Sequence, residues 1–114
     1  MGLFGFLQAI QLRRKQRKLL QGIDRSPIGY SNAPGDSLDD PIVVTGAKLD
    51  IEGTAAVFAW LIRQHGTMDV DWRLHTKSGA ASGDRHIDIY RIQLRSGEER
   101  TFYFDVSESF GRWS

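Results

Sequence analysis

Cysteine is absent, which excludes a disulfide framework, thiolate catalysis and zinc–thiolate sites and is compatible with a reducing compartment. No apolar run approaches the roughly 18 residues needed to cross a bilayer. The N-terminus has the wrong order for a signal peptide, because apolar residues precede the basic ones and no small-residue cleavage site follows. Acid is missing from residues 1–20, which carry Arg13, Arg14, Lys15, Arg17 and Lys18 and a net charge of +5. All 14 acids lie further on beside ten basic residues, so the remainder of the chain carries −4. The small overall charge of +1 thus hides a basic arm and a mildly acidic body.

Catalytic signatures are lacking too. No serine sits in a Gly-x-Ser-x-Gly elbow, and the stretch Gly79 to Gly83 precedes a strand and lacks the Lys-Ser/Thr ending of a phosphate loop. The neighbouring acids Glu98 and Glu99 lie in a turn open to water, where nothing raises a carboxyl pKa for acid–base work. Of the three histidines, His65 ends a predicted helix, where an imidazolium would meet the negative end of the helix dipole. His75, His86 and Asp88 flank one hairpin without a third firm ligand. The expectation is therefore a protein that is not an enzyme, with no cofactor, no metal and no small-molecule substrate.

What is present is a pattern of elements. Asp50 to Gly66 reads as one amphipathic helix: Asp50 is suited to accept from a free backbone N–H, Glu52 adds negative charge to the first turn, and Gly66 supplies the stop. Ile51, Ala55, Phe58, Ala59, Leu61 and Ile62 form its apolar stripe, with Gly53 a minor cost. Val57 and Trp60 widen the stripe and are expected to finish the core. From Val70 to Val106 three strands alternate, with Val70, Trp72, Leu74, Tyr90, Ile92, Leu94, Phe102, Phe104 and Val106 at even positions. A register pairing Trp72 with Tyr90, Val70 with Ile92 and Ile92 with Phe104 puts every even residue on the core face. Ile87 and Ile89 break the parity and predict a bulge nearby. Residues 78–84 read as a flexible hairpin loop and residues 96–99 as a tighter turn.

Ile42 to Val44 form a short strand before the helix, and a crossover through that helix makes it parallel to the strand beginning at Val70 if both share a sheet. Residues 21–41 hold all three prolines and read as a linker with Ile28 and Tyr30 anchoring its middle. Phe110 and Trp113 are expected to fold back over one end of the core. The fold class is α+β: an N-terminal helical arm over 1–20, a linker over 21–41, and a βαβββ domain over 42–114. In it, one helix packs on a three-stranded antiparallel meander with a possible fourth short strand.

Two surfaces are candidates for binding. In the arm, Leu3, Phe4, Phe6, Leu7 and Ile10 fall within roughly 160° of arc at 100° per residue. The basic residues Arg13, Arg14, Lys15, Arg17 and Lys18 then follow, encircling the helix. This order suits an anionic membrane surface or an unknown protein partner, with a nucleic acid ranking behind. The outward face of the sheet offers Arg73, His75, Arg91, Arg95 and Tyr103 as a second surface for a partner. The function expected is a binding or adaptor module, cytoplasmic and peripheral to a membrane or larger protein. The competing class is a nucleic-acid binder using the arm and the sheet.

Overall fold

The computed structural model describes residues 2–113, the side chain of Phe4 apart. Two helices and five strands follow one another as α1 (Leu3–Asp24), β1 (Gly29–Tyr30), β2 (Ile42–Thr45), α2 (Asp50–His65), β3 (Trp72–Ser82), β4 (Arg85–Leu94) and β5 (Glu99–Asp105). The strands form one mixed sheet in the order β1-β2-β5-β4-β3, and the fold is α+β. Strand β2 runs parallel to β5, and β3, β4 and β5 are antiparallel neighbours. It follows that β2 and β3 point the same way, as the crossover through α2 requires. They do not pair, however, because the meander returns β5 to the place beside β2.

The core lies between the sheet and α2. Ile42, Val44, Tyr90, Ile92, Phe104 and Trp72 face Ala56, Val57, Leu61 and Ile62 from the helix. Val57 is fully buried and Trp60 stands edge-on to Phe102 and Phe104, so both complete this core. Ile51, placed in the apolar stripe by its spacing, is instead 73% exposed in the first turn. Glu52 accepts from the Leu49 N–H at 2.9 Å, so the helix is capped from its third residue. The Asp50 carboxylate has another partner, the N–H of Gly111. At the other end Gly66 stops the helix with φ of 98°, and the Trp72 indole donates to its carbonyl at 2.8 Å.

The register differs from the one expected. Trp72 pairs with Leu94 and Leu74 with Ile92, while Tyr90 meets Phe102 and Asp88 meets Phe104. The cause is the length of the turns. Residues 78–82, read as loop, are strand, and only Gly83 and Asp84 turn the chain. Small side chains do not prevent ladder hydrogen bonds, so the shortest turn available wins. Even parity still marks the core face in β4 and β5, but the bulge falls in β3, between Leu74 and Thr76. It carries Lys77 to the helix side, with Nζ 5.3 Å from the centre of the Tyr90 ring. Ile87 and Ile89 lie on the odd face of an unbroken β4, in register with Asp105 and Tyr103 of β5, and Ile87 is fully buried there.

The linker is more ordered than its prolines suggest. It contributes β1, pairing Gly29 with Thr45 and Tyr30 with Val44, and the Tyr30 hydroxyl donates to the Ala56 carbonyl at 2.6 Å. Ile28 and Tyr30 both pack on the core, as anchors of the segment. Burial pushes the Tyr30 phenol up, with Arg63 opposing and Asp24 adding to the shift.

The first helix is longer than its basic block implies, continuing to Asp24. It docks by its second half: Ile23 is buried, Leu19 and Leu20 pack against the core, and Asp24 pairs with Arg63 of α2. Gln16 acts here like a strip of backbone, donating to the Met68 carbonyl at 3.0 Å and accepting from its N–H at 2.8 Å. Replacing Gln16 with alanine leaves both Met68 groups unmet in a partly buried place. Chemical denaturation is expected to show a loss of about 1–3 kcal/mol.

Candidate functional site

The side of α1 turned to the domain carries Leu12, Gln16, Leu19, Leu20 and Ile23, residues four, three, one and three apart; the last four form the docked part of this seam, and Leu12 borders a cleft. At 100° per residue, Leu3, Phe6, Leu7 and Ile10 centre about 150° round the helix from that seam, and the five basic residues about 170°. The basic residues therefore do not encircle the helix. They spread over the arc that the seam leaves free, because the seam residues occupy the rest. The seam is a stripe at helical spacing, but five cations interleave with it, so residue types alone do not mark it as a docking face.

Exposure confirms the geometry. Leu3 is 75% exposed, Phe6 57% and Leu7 49%, while Ile10 is partly covered. The side chain of Phe4 lies outside the described residues. Arg13, Arg14, Lys15, Arg17 and Lys18 are all exposed, and none has an acidic partner among the described residues. Under the first half of α1, Gly5, Gln8, Ala9 and Leu12 face Asp69 and Val70 across a cleft of about 280 Å³. This half of the helix thus stands off the domain, with its apolar side chains turned to water.

The outer sheet face is divided. Arg73 lies beside Gln93, its Nε donating to Gln93 Oε1 at 2.7 Å, and Arg91 lies between Thr76 and Thr101. His75 sits at the bulge, 3.6 Å from Glu99. Arg73 and Arg95 share a recess of about 350 Å³ with Asp69 and Asp71, so its charges oppose one another. Tyr103 is in register with Ile89, which makes it the diagonal neighbour of Arg91 on this face. Asp69, Asp71 and Glu99 therefore interrupt the positive charge of this face at Arg73, Arg95 and His75.

A third, polar place lies at the start of α2. Asp50 and Thr54 of the helix, Lys77 and Asp88 of the sheet, and Ser109 and Phe110 of the C-terminal segment line a recess of about 80 Å³. The Asp88 carboxylate accepts from His86 Nε2 at 3.0 Å, and the His86 ring stacks on Phe110 with centroids 3.5 Å apart. Burial, then Asp88 and Asp50, hold the Tyr90 phenol far above its ordinary value. The C-terminal segment is fixed over this recess by the Asp50 N–H donating to the Arg112 carbonyl and by the Gly111 N–H donating to the Asp50 carboxylate. A side chain on Gly53 would collide with Ser109, so that glycine permits a close crossing and is more than a minor cost. Phe110 and Trp113 do not cap the core: Phe110 covers His86 and Trp113 is 81% exposed.

His65, expected as a cation at the helix end, is shifted toward its neutral form. Burial, then the Arg100 charge, lower its pKa, and its ring lies 5.2 Å from that of Phe102. His75 is tied to Glu99 and His86 to Asp88, and no cluster of three metal-ligating residues occurs among the described residues. No helix among them is long and apolar enough to cross a membrane. Comparisons with protein-family models, with curated proteins and with solved structures find no match for this chain.

Proposed function

We propose that this chain is a non-catalytic binding module held to a larger body by the outer face of α1, a peripheral adaptor of the cytoplasm. The observation that supports this reading is the division of one helix between two tasks. Its seam is spent on the domain, whereas Leu3, Phe6 and Leu7 stay 49–75% exposed on the opposite side. Apolar side chains grouped on a helix face and left in water are a cost that binding recovers. The divided charge of the outer sheet face gives a polynucleotide little to follow, which supports the arm over the sheet as the attachment surface.

The test compares the full chain, carrying a reporter, with the triple variant Leu3→Gln, Phe6→Gln and Leu7→Gln after fractionation of cells. Attachment predicts that the parent sediments with membranes or large assemblies and that the variant moves to the free pool by on the order of tenfold or more. Thermal unfolding of the two should coincide, since these side chains support no core. An unchanged distribution, with both proteins folded, refutes the reading.

A further inference from the structure

We infer that the body to which α1 attaches is an anionic lipid surface, with Leu3, Phe6 and Leu7 among the acyl chains and Arg14, Arg17 and Lys18 on the headgroups. This rests on the reading of the outer face of α1 as the attachment surface.

Charge complementarity is the first argument. From Leu3 to Ile23 the helix carries five cations and no acid, and Asp24 is engaged with Arg63. A protein groove that takes an apolar helix tip has no need of single-sign charge over the following two turns. A surface of uniform negative charge does, and each cation held near it strengthens binding about fivefold. A polynucleotide would also attract the cations, but it would leave Leu3, Phe6 and Leu7 in water.

Geometry is the second. Leu3 to Lys18 spans about 22 Å at 1.5 Å per residue, so the helix lies along the interface and not across it. The seam faces the opposite way, so the domain stays docked while the outer face is buried, and no rearrangement is needed. The remainder of the chain carries −4, so the same surface that attracts α1 repels the body behind it. Attraction on one side and repulsion on the other set the orientation of the module.

The experiment is co-sedimentation of the full chain with vesicles of phosphatidylcholine alone and of phosphatidylcholine containing phosphatidylserine as the minority lipid. Binding is expected only to the mixed vesicles and is expected to weaken as salt is raised. The variant Arg14→Gln, Arg17→Gln and Lys18→Gln should bind on the order of 100-fold more weakly, about fivefold for each cation. The Leu3, Phe6 and Leu7 variant should lose retention at low salt as well. Equal binding to both vesicle types, or to neither, overturns the lipid assignment. So does a single-stranded oligonucleotide that binds as tightly and is indifferent to the loss of Leu3, Phe6 and Leu7. If vesicles fail while the apolar variant still leaves the sedimenting pool in cells, attachment survives with a protein as its object; if both fail, the reading of α1 falls with the lipid.

Discussion

Replacing Phe104 with alanine is expected to lower stability by about 4 kcal/mol, with a fall in Tm of roughly 15 °C. Phe104 is fully buried on the strand between β2 and β4 and is in register with Ile42 on one side and Asp88 on the other. Its ring stands edge-on to Trp60 at 5.4 Å and to Tyr90 at 5.7 Å, with interplanar angles of 79° and 88°. Removing it deletes a large apolar surface and leaves a void bounded by two rings whose backbones sit in different elements, so collapse is incomplete. A domain of this size has only about 5–15 kcal/mol in all, and the variant should be marginal at body temperature. Phe104→Leu keeps much of the volume and should lose less than half as much. Chemical denaturation measures both, and a loss below about 1.5 kcal/mol for alanine would show that the core does not centre there.

Ile23→Asp is expected to cost about 3 kcal/mol and to release α1 from the domain. Ile23 is buried at the end of the docking seam, and the substitution both removes an apolar contact and places a charge beside Asp24. The helix escapes the full cost of a buried charge by lifting away. Once free, its 22 residues are marginally helical in water. Amide exchange across residues 16–24 should therefore accelerate, while exchange in β4 and β5 changes little. The outer face is untouched by this change, so binding to anionic vesicles should persist, with the interface itself supporting the helix. A stability within about 0.5 kcal/mol of the parent would mean that the seam contributes nothing to holding α1.

Ile23→Asp and the Leu3, Phe6 and Leu7 variant act on opposite faces of one helix, and that separation was only half visible from residue types. The apolar tip and the basic block stand out in sequence because each is contiguous. The seam at Leu12, Gln16, Leu19, Leu20 and Ile23 is interrupted by every one of the later cations, so its meaning depends on something to dock against. Gln16 is the clearest case. Nothing local marks it as a docking residue, since its partner is the Met68 backbone, 52 positions away. His65 shows the same limit, because its place at a helix end suggested a cation, whereas the rings and Arg100 brought beside it favour the neutral form.

By itself the sequence determined the α+β class, the span of α2, the even residues of β4 and β5 as the core face, and the split of charge between arm and body. These are properties of period and composition, which neighbouring residues impose on one another without reference to the rest of the chain. Tertiary structure alone decided the register, the bulge that turns Lys77 inward, the pairing of β2 with β5, and which side of α1 meets water. Each of those depends on turn length or on surfaces brought together from distant positions, and a side chain's neighbours along the chain carry no record of either.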